Sequence, residues 1–182
     1  MAIIDAEERK KIVETIKEEY KKQEARYLRD KTYLRHTLGG YFAGSAVDDL
    51  FHLFSLLGLS RCRNFIDLGS GDGRAVFVAG LFTQASGIEL DPDLFSISKM
   101  MQERISVPVL FTQADFLDAD LSQSDVIFIN PDTHFYVLEK KLDREMQPGS
   151  MLIVYNAVYK PLNMRLLKEI QLKGSKALVY KK

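Results

Sequence analysis

Between Asn64 and Asn156 short apolar segments alternate with longer amphipathic ones, and this alternation constrains the fold more than any other feature of the chain. The short segments are Asn64–Leu68, Ala85–Leu90, Val109–Asp115, Asp125–Asn130 and Ser150–Asn156, and they have the length and β-branched or aromatic content of strands. The segments Gly73–Phe82, Pro92–Arg104 and Phe135–Met146 fit helices between them. Strands alternating with helices of this length predict right-handed βαβ units and a parallel sheet covered on both faces. Gln147-Pro148-Gly149 is a turn into the fifth strand, and Pro161 leaves little room for a further crossover helix. Arg165–Leu172 and Lys176–Lys182, joined by Lys173-Gly174-Ser175, predict a terminal antiparallel hairpin. The expected class is therefore α/β: a doubly wound, mostly parallel sheet with a C-terminal antiparallel hairpin and an N-terminal helical extension.

That extension is read from residues 5–34, which are rich in Glu, Lys and Arg and hold no Gly or Pro. Asp5 and Glu8 resemble a capping box. Ile12, Ile16, Tyr20, Tyr27 and Leu34 approximate a one-sided helical stripe, and Glu7–Lys11 and Glu18–Lys22 are helix-supporting pairs. Gly39-Gly40 is expected to end this helix and Tyr41–Ser45 to form a loop. Ser45 is then expected to start a second helix, with Asp48 at its capping-box position, running to Gly58. The organisation expected is a helical extension over 1–38 and one domain over 39–182. The extension either docks one face on the core or acts as a lid or as the arm of a homodimer.

Charge and cysteine content exclude several classes. With 25 basic and 25 acidic side chains the formal charge is zero, which argues against a dedicated nucleic-acid binder. The longest apolar run, Phe51–Leu59, is interrupted by His52 and Ser55 and is too short to span a bilayer. Met1-Ala-Ile-Ile-Asp5 does not read as a signal peptide, and the single cysteine, Cys62, cannot form an internal disulfide, so the expected compartment is the cytoplasm. The zero is unevenly built. Residues 45–159 carry a net charge of −8, and residues 160–182 one of +6.

The strongest local signal is Asp67-Leu-Gly69-Ser70-Gly71-Asp72-Gly73-Arg74, which follows a predicted strand and opens a predicted helix. Glycines at 69, 71 and 73 allow a tight turn and close approach of a ligand to the backbone. Glu89 ends the second strand, where an acid binds the ribose hydroxyls of an adenosine cofactor. Asp115 and Phe116 end the third strand, where a carboxylate beside an aromatic suits an adenine amine and ring. A dinucleotide fingerprint would need glycine at position 74, where this chain has Arg74. Asp67 and Asp72 would repel a pyrophosphate and favour a cation, so the loop suits a cationic, phosphate-free nucleoside.

These elements, over roughly residues 39–182, resemble the class I, seven-strand, Rossmann-like methyltransferases that use S-adenosyl-L-methionine (SAM). Their D-x-G-x-G-x-G motif is matched by Asp67 to Gly73, their second-strand acid by Glu89 and their third-strand acid by Asp115. The resemblance implies SAM as cofactor and S-adenosylhomocysteine as product. The cofactor-binding residues it implies are Tyr41, Ser45, Asp67, Gly69, Ser70, Gly71, Gly73, Glu89, Asp115, Phe116 and Asn130. No metal is implied.

The acceptor is read from Asn130-Pro131-Asp132-Thr133-His134-Phe135, which follows the fourth strand. Methyltransferases acting on planar amines use Asn-Pro-Pro-aromatic; this chain matches only Asn130-Pro131. Catechol-type enzymes use a metal, and here only Asp132 and Asn156 are available as ligands. The chain also resembles two groups of lysine methyltransferases, the telomeric-silencing (Dot) type and a compact archaeal group with mitochondrial ATP-synthase-directed relatives. That likeness lies in Asp67 to Arg74, in Leu138-Glu-Lys-Lys-Leu142 to Gln147-Pro-Gly149, in the hairpin ending, and in Tyr41-Phe-Ala-Gly-Ser45, where the compact group has a loop over the cofactor. It implies in-line methyl transfer to an amine, with Asn130 and Pro131 as catalytic residues, and a basic protein as substrate. Phe135, Tyr155 and Tyr159 are either channel walls or core, and His134 is a base or a solvated loop residue. A small-molecule methyltransferase and a non-catalytic SAM-binding module stay open as alternatives.

Overall fold

The computed structural model describes residues 4–27, 35–38, 40–131 and 136–182. From the N-terminus, α1 (Ala6–Tyr27) is followed by a small hairpin of β1 (Arg35–Thr37) and β2 (Gly40–Phe42), and then by α2 (Val47–Leu57). The alternating part follows: β3 (Asn64–Leu68), α3 (Arg74–Gly80), β4 (Gln84–Glu89), α4 (Pro92–Gln102), β5 (Val109–Gln113), β6 (Val126–Ile129), α5 (Tyr136–Glu145) and β7 (Met151–Tyr155). β8 (Arg165–Gln171) and β9 (Lys176–Lys181) close the chain as an antiparallel hairpin. Every strand expected from Asn64 onward forms, within two residues at either end.

The seven strands from β3 to β9 make one sheet in the order β5-β4-β3-β6-β7-β9-β8. β3 to β7 are parallel, and β9 runs antiparallel between β7 and β8. Strand alternation sorts the apolar side chains to two faces. Phe65, Phe128, Ile153 and Val179 join Leu50, Leu53, Val76 and Phe77 in one buried cluster under α2 and α3. Ile66, Ile127, Leu152 and Leu178 join Leu138, Leu142 and Met146 in a second cluster under α5.

The N-terminal region departs from expectation. The helix predicted over 5–34 is seen as far as Tyr27; residues 28–34 lie outside the described ones, and residues 35–42 pair as a hairpin, Arg35 opposite Phe42. Gly40 and Tyr41 therefore belong to a strand and not to a helix end and a loop. Asp5 does cap α1, accepting the Glu8 N–H at 2.9 Å. The helix pairs its charges at i,i+3, Glu7 with Lys10 and Glu19 with Lys22, in place of the expected i,i+4 partners. Its apolar face, Val13, Ile16 and Tyr20, is buried in the first cluster, so this face is used within the chain.

Ser45 does not cap α2. The N-cap position is Ala46, with no side-chain hydrogen bond, and Gly58 ends the helix in the left-handed region at φ 65°. Among the described residues, no helix is long and apolar enough to cross a membrane.

Candidate active site

The strand order reverses at β3: β4 and β5 lie on one side, β6 and β7 on the other. A crevice forms outside the carboxyl ends of strands at such a reversal. Here it is a cleft of about 330 Å³. Its floor is the end of β3 and the glycine loop. Glu89 and Leu90 follow from β4, Asp115 and Phe116 lie beyond β5, and Phe128 to Pro131 come from β6. Asn156 and Val158 enter after β7, and Thr37, Phe42, Ala43 and Ser45 border it from the N-terminal side.

The loop turns because its glycines take positive φ, 75° at Gly69, 56° at Gly71 and 88° at Gly73. The three serve different ends. A Cβ on Gly69 would meet nothing within 4 Å, so that position faces open space in the cleft. A Cβ on Gly71 would fall 2.4 Å from the Phe42 ring, which packs directly on the loop. A Cβ on Gly73 would fall 2.6 Å from Phe111, behind the cleft. Gly73, expected among the ligand contacts, instead lets the start of α3 pack on β5.

The acids differ equally. Glu89 accepts the N–H of Gly71 at 2.7 Å and the N–H of Asp91 at 2.8 Å, so it ties the loop to the end of β4. Burial raises its pKa, against the lowering effect of those hydrogen bonds. Asp67 is buried, and burial, then the charges of Glu89 and Asp72, push its carboxyl well above the usual carboxylate range. Asp72 is compensated, for Arg74 forks onto it at 2.6 and 3.1 Å. Asp91 caps α4 by accepting the N–H groups of Asp93 and Leu94. Asp115 accepts the Leu117 N–H at 2.8 Å, which shapes the turn carrying Phe116. The hydroxyl of Ser70 is buried with no hydrogen-bond partner among the described residues.

At the far end of the cleft three side chains form a relay of hydrogen bonds. Asn156 Nδ2 donates to Asn130 Oδ1 at 2.7 Å, and Asn130 Nδ2 donates to Ser45 Oγ at 3.2 Å. Ser45, freed from capping, thus contacts the end of β6. Asn156 sits in the left-handed region at φ 63°, a conformation asparagine tolerates better than most residues.

Ser45, Asp67, Gly69, Ser70, Gly71, Glu89, Asp115, Phe116, Asn130 and Pro131 all line the cleft. The side chain of Tyr41 lies outside the described residues, as do Asp132, Thr133, His134 and Phe135. Tyr155 and Tyr159 do not wall the cleft: both are buried in the core, Tyr155 against Phe128 with ring centroids 5.9 Å apart. Sequence reasoning missed Phe42, for which strand β2 gives no periodic signal in three residues. It noted Asn156 only as a candidate metal ligand, and its position two residues before Val158 at a strand end is the signal that was available. Among the described residues no group of three or more His, Cys, Asp or Glu side chains is placed to hold a metal.

Comparison with known proteins gives the same reading. The family model of the ANTKMT methyltransferase domain matches residues 67–157, half of the chain. A human lysine N-methyltransferase named for an ATP synthase subunit is 36% identical over 100 residues, which span 51% of this chain and 42% of that enzyme. Among solved structures, an RNA methyltransferase from Salinibacter ruber in complex with S-adenosyl-L-homocysteine superposes with a TM-score of 0.65 at 22% identity, covering 76% of this chain and 93% of the other. The mitomycin 7-O-methyltransferase MmcR superposes with a TM-score of 0.61 at 13% identity, covering 74% and 53%. These likenesses show a shared fold whose acceptors differ. The chain belongs to the ANTKMT methyltransferase domain family, and it shares the fold of the methyltransferases it superposes on.

Proposed function

We propose that this chain transfers the methyl group of SAM to the ε-amine of a lysine in a basic protein. The cleft suits the cofactor on three counts. Asp67 and Glu89 are buried carboxylates that a cationic ligand relieves, the Ser70 hydroxyl has no partner among the described residues, and Gly69 leaves open space where a side chain would intrude. Glu89 retains lone pairs for ribose hydroxyls, Asp115 and Phe116 suit an adenine amine and ring, and Asp67 suits the amino-acid end. Bound there, SAM supplies a methyl group on a sulfonium, open to direct displacement.

The observation that carries the acceptor reading is the engaged amide of Asn130. An enzyme that clamps a planar NH₂ group presents a free asparagine carbonyl to it. Here that carbonyl accepts from Asn156 and the amide NH₂ donates to Ser45. The side chain acts as a strut, and the backbone carbonyls of Asn130 and Pro131, which line the cleft, are assigned to accept N–H groups of the nucleophile. Such carbonyls hold a lysine amine once its proton has passed to solvent, and the uncompensated acids nearby favour a cationic approach. The partial match to a lysine methyltransferase supports the same acceptor.

The test is incubation of the full chain with methyl-labelled SAM and histones or ribosomal proteins, followed by mass spectrometry. Label on lysine is expected. Label confined to RNA or to small molecules overturns the acceptor reading, and the latter outcome restores the small-molecule alternative.

A further inference from the structure

Arg74 follows the glycine loop, and its buried guanidinium is the junction of three segments. Nε and Nη2 fork onto Asp72, and Nη1 donates to Glu24 Oε1 of α1 at 3.1 Å and to the carbonyl of Ser45 at 3.4 Å. The Tyr20 ring of α1 lies 4.6 Å from the guanidinium carbon, within reach of a cation–π contact. The Tyr20 hydroxyl also donates to the backbone carbonyl of Asp72 at 2.8 Å. On the remaining side Gly44 lies against the guanidinium, for a Cβ there would fall 2.4 Å from the same carbon. Arg74 borders the cleft, but these bonds all run to protein groups.

This junction holds α1, the 44–45 segment and Asp72 at fixed separations. Asp72 lies between Gly71, whose N–H meets Glu89, and Gly73, which opens α3. The shape of the loop at the cleft therefore depends on α1, an element that contributes none of the cleft lining among the described residues.

We propose that α1 is a working part of the cofactor site: Glu24 and Tyr20 set Arg74, and Arg74 is a positioning residue that holds the Asp72 segment of the glycine loop in its binding shape. The inference rests on the reading of the cleft as the SAM site. It has an electrostatic rival of opposite sign. If Arg74 acted only as a charge, weakening its hold on Asp72 would free a carboxylate and tighten the binding of a cationic ligand.

The experiment is calorimetric titration of the full chain with S-adenosylhomocysteine for wild type, Glu24→Gln, Tyr20→Phe, Arg74→Lys and the Glu24→Gln/Arg74→Lys double variant. Unfolding midpoints without ligand are recorded alongside. Glu24→Gln is expected to weaken binding about three- to tenfold with little change in midpoint, because its side chain is 36% exposed and such pairs add little to global stability. Arg74→Lys is expected to weaken it about tenfold or more, since a lysine cannot fork onto a carboxylate. The double variant is expected to bind no more weakly than Arg74→Lys, because Glu24 acts through Arg74. Wild-type affinity in both Glu24→Gln and Tyr20→Phe, additive losses in the double variant, or tighter binding in Arg74→Lys each overturns the proposal. The two α1 variants keep the test decisive if Arg74→Lys fails to fold. Absence of binding by wild type overturns the cofactor reading and this inference together, whereas binding that ignores α1 overturns this inference alone.

Discussion

The N–H of Gly71 donates to Glu89 Oε2 at 2.7 Å, joining the tip of the glycine loop to the end of the neighbouring strand 18 residues later. The other carboxylate oxygen holds the N–H of Asp91. One side chain thus fixes two turns while lining the cleft.

Glu89→Gln places an amide NH₂ against at least one of those backbone donors. Hydrogen bonds to charged groups contribute about 1.5–3 kcal/mol. The affinity for S-adenosylhomocysteine is expected to fall about 10- to 100-fold, measured by calorimetry on the full chain.

Gly69→Ala and Gly73→Ala separate ligand contact from packing. Both residues have positive φ, which costs an alanine about 1–2 kcal/mol. At Gly69 the new methyl enters open space in the cleft, so binding and activity are expected to drop while the unfolding midpoint moves only by that backbone cost. At Gly73 it meets Phe111, and overpacking adds about 1–3 kcal/mol, so the midpoint is expected to fall further. Equal midpoints in the two variants contradict this assignment.

Asp67 gives a pH signature. Its folded pKa is raised by burial and by the charges of Glu89 and Asp72. Between the unfolded value of about 3.9 and the raised folded value, the native state binds more protons than the unfolded one, so stability falls as pH rises. Thermal unfolding of wild type without ligand is expected to show this decline from about pH 4 upward, and Asp67→Asn to show a shallower one, with the raised Glu89 still contributing. A common slope for both proteins contradicts the burial of an uncompensated acid.

Asn156→Gly keeps the left-handed backbone and removes the amide that holds Asn130. Losing one neutral hydrogen bond of about 0.5–1.5 kcal/mol is expected to lower kcat about 2- to 10-fold. Because Asn130 is read as a strut on the acceptor side, the affinity for S-adenosylhomocysteine is expected to stay within about twofold of wild type. Steady-state kinetics alongside calorimetry separates the two.

The strands and the glycine loop were legible because their signals are local. Phe65-Ile66 and Val126–Ile129 are apolar runs bounded by turn residues, and a glycine triplet after a strand has few structural uses. The acids were legible as a set but not in their separate duties. Asp72 is spent on Arg74 and Asp91 on the start of α4, and such pairings depend on side-chain directions in space. The β1–β2 hairpin was missed because Arg35–Phe42 is short and charged at one end, and its register comes from cross-strand pairing. Ser45 has the residue type of a cap, but the chain spends its hydroxyl on Asn130, 85 positions away. Tyr155 and Tyr159 read equally as wall or core, since an aromatic at a strand end serves both; burial decided for core.

The position of β9 carries a consequence for synthesis. β9, the last of these seven strands in chain order, is not at the margin of the sheet but inside it, paired with β7 on one side and β8 on the other. A nascent chain that has already laid down β3 to β7 still has an open flank beside β7, and Asn156 hangs from that flank just beyond Tyr155. Until residues 176–181 leave the ribosome, β7 and β8 wait without their shared neighbour. The flank of the sheet beside β7 is therefore completed after the β3 and β4 side that carries the glycine loop.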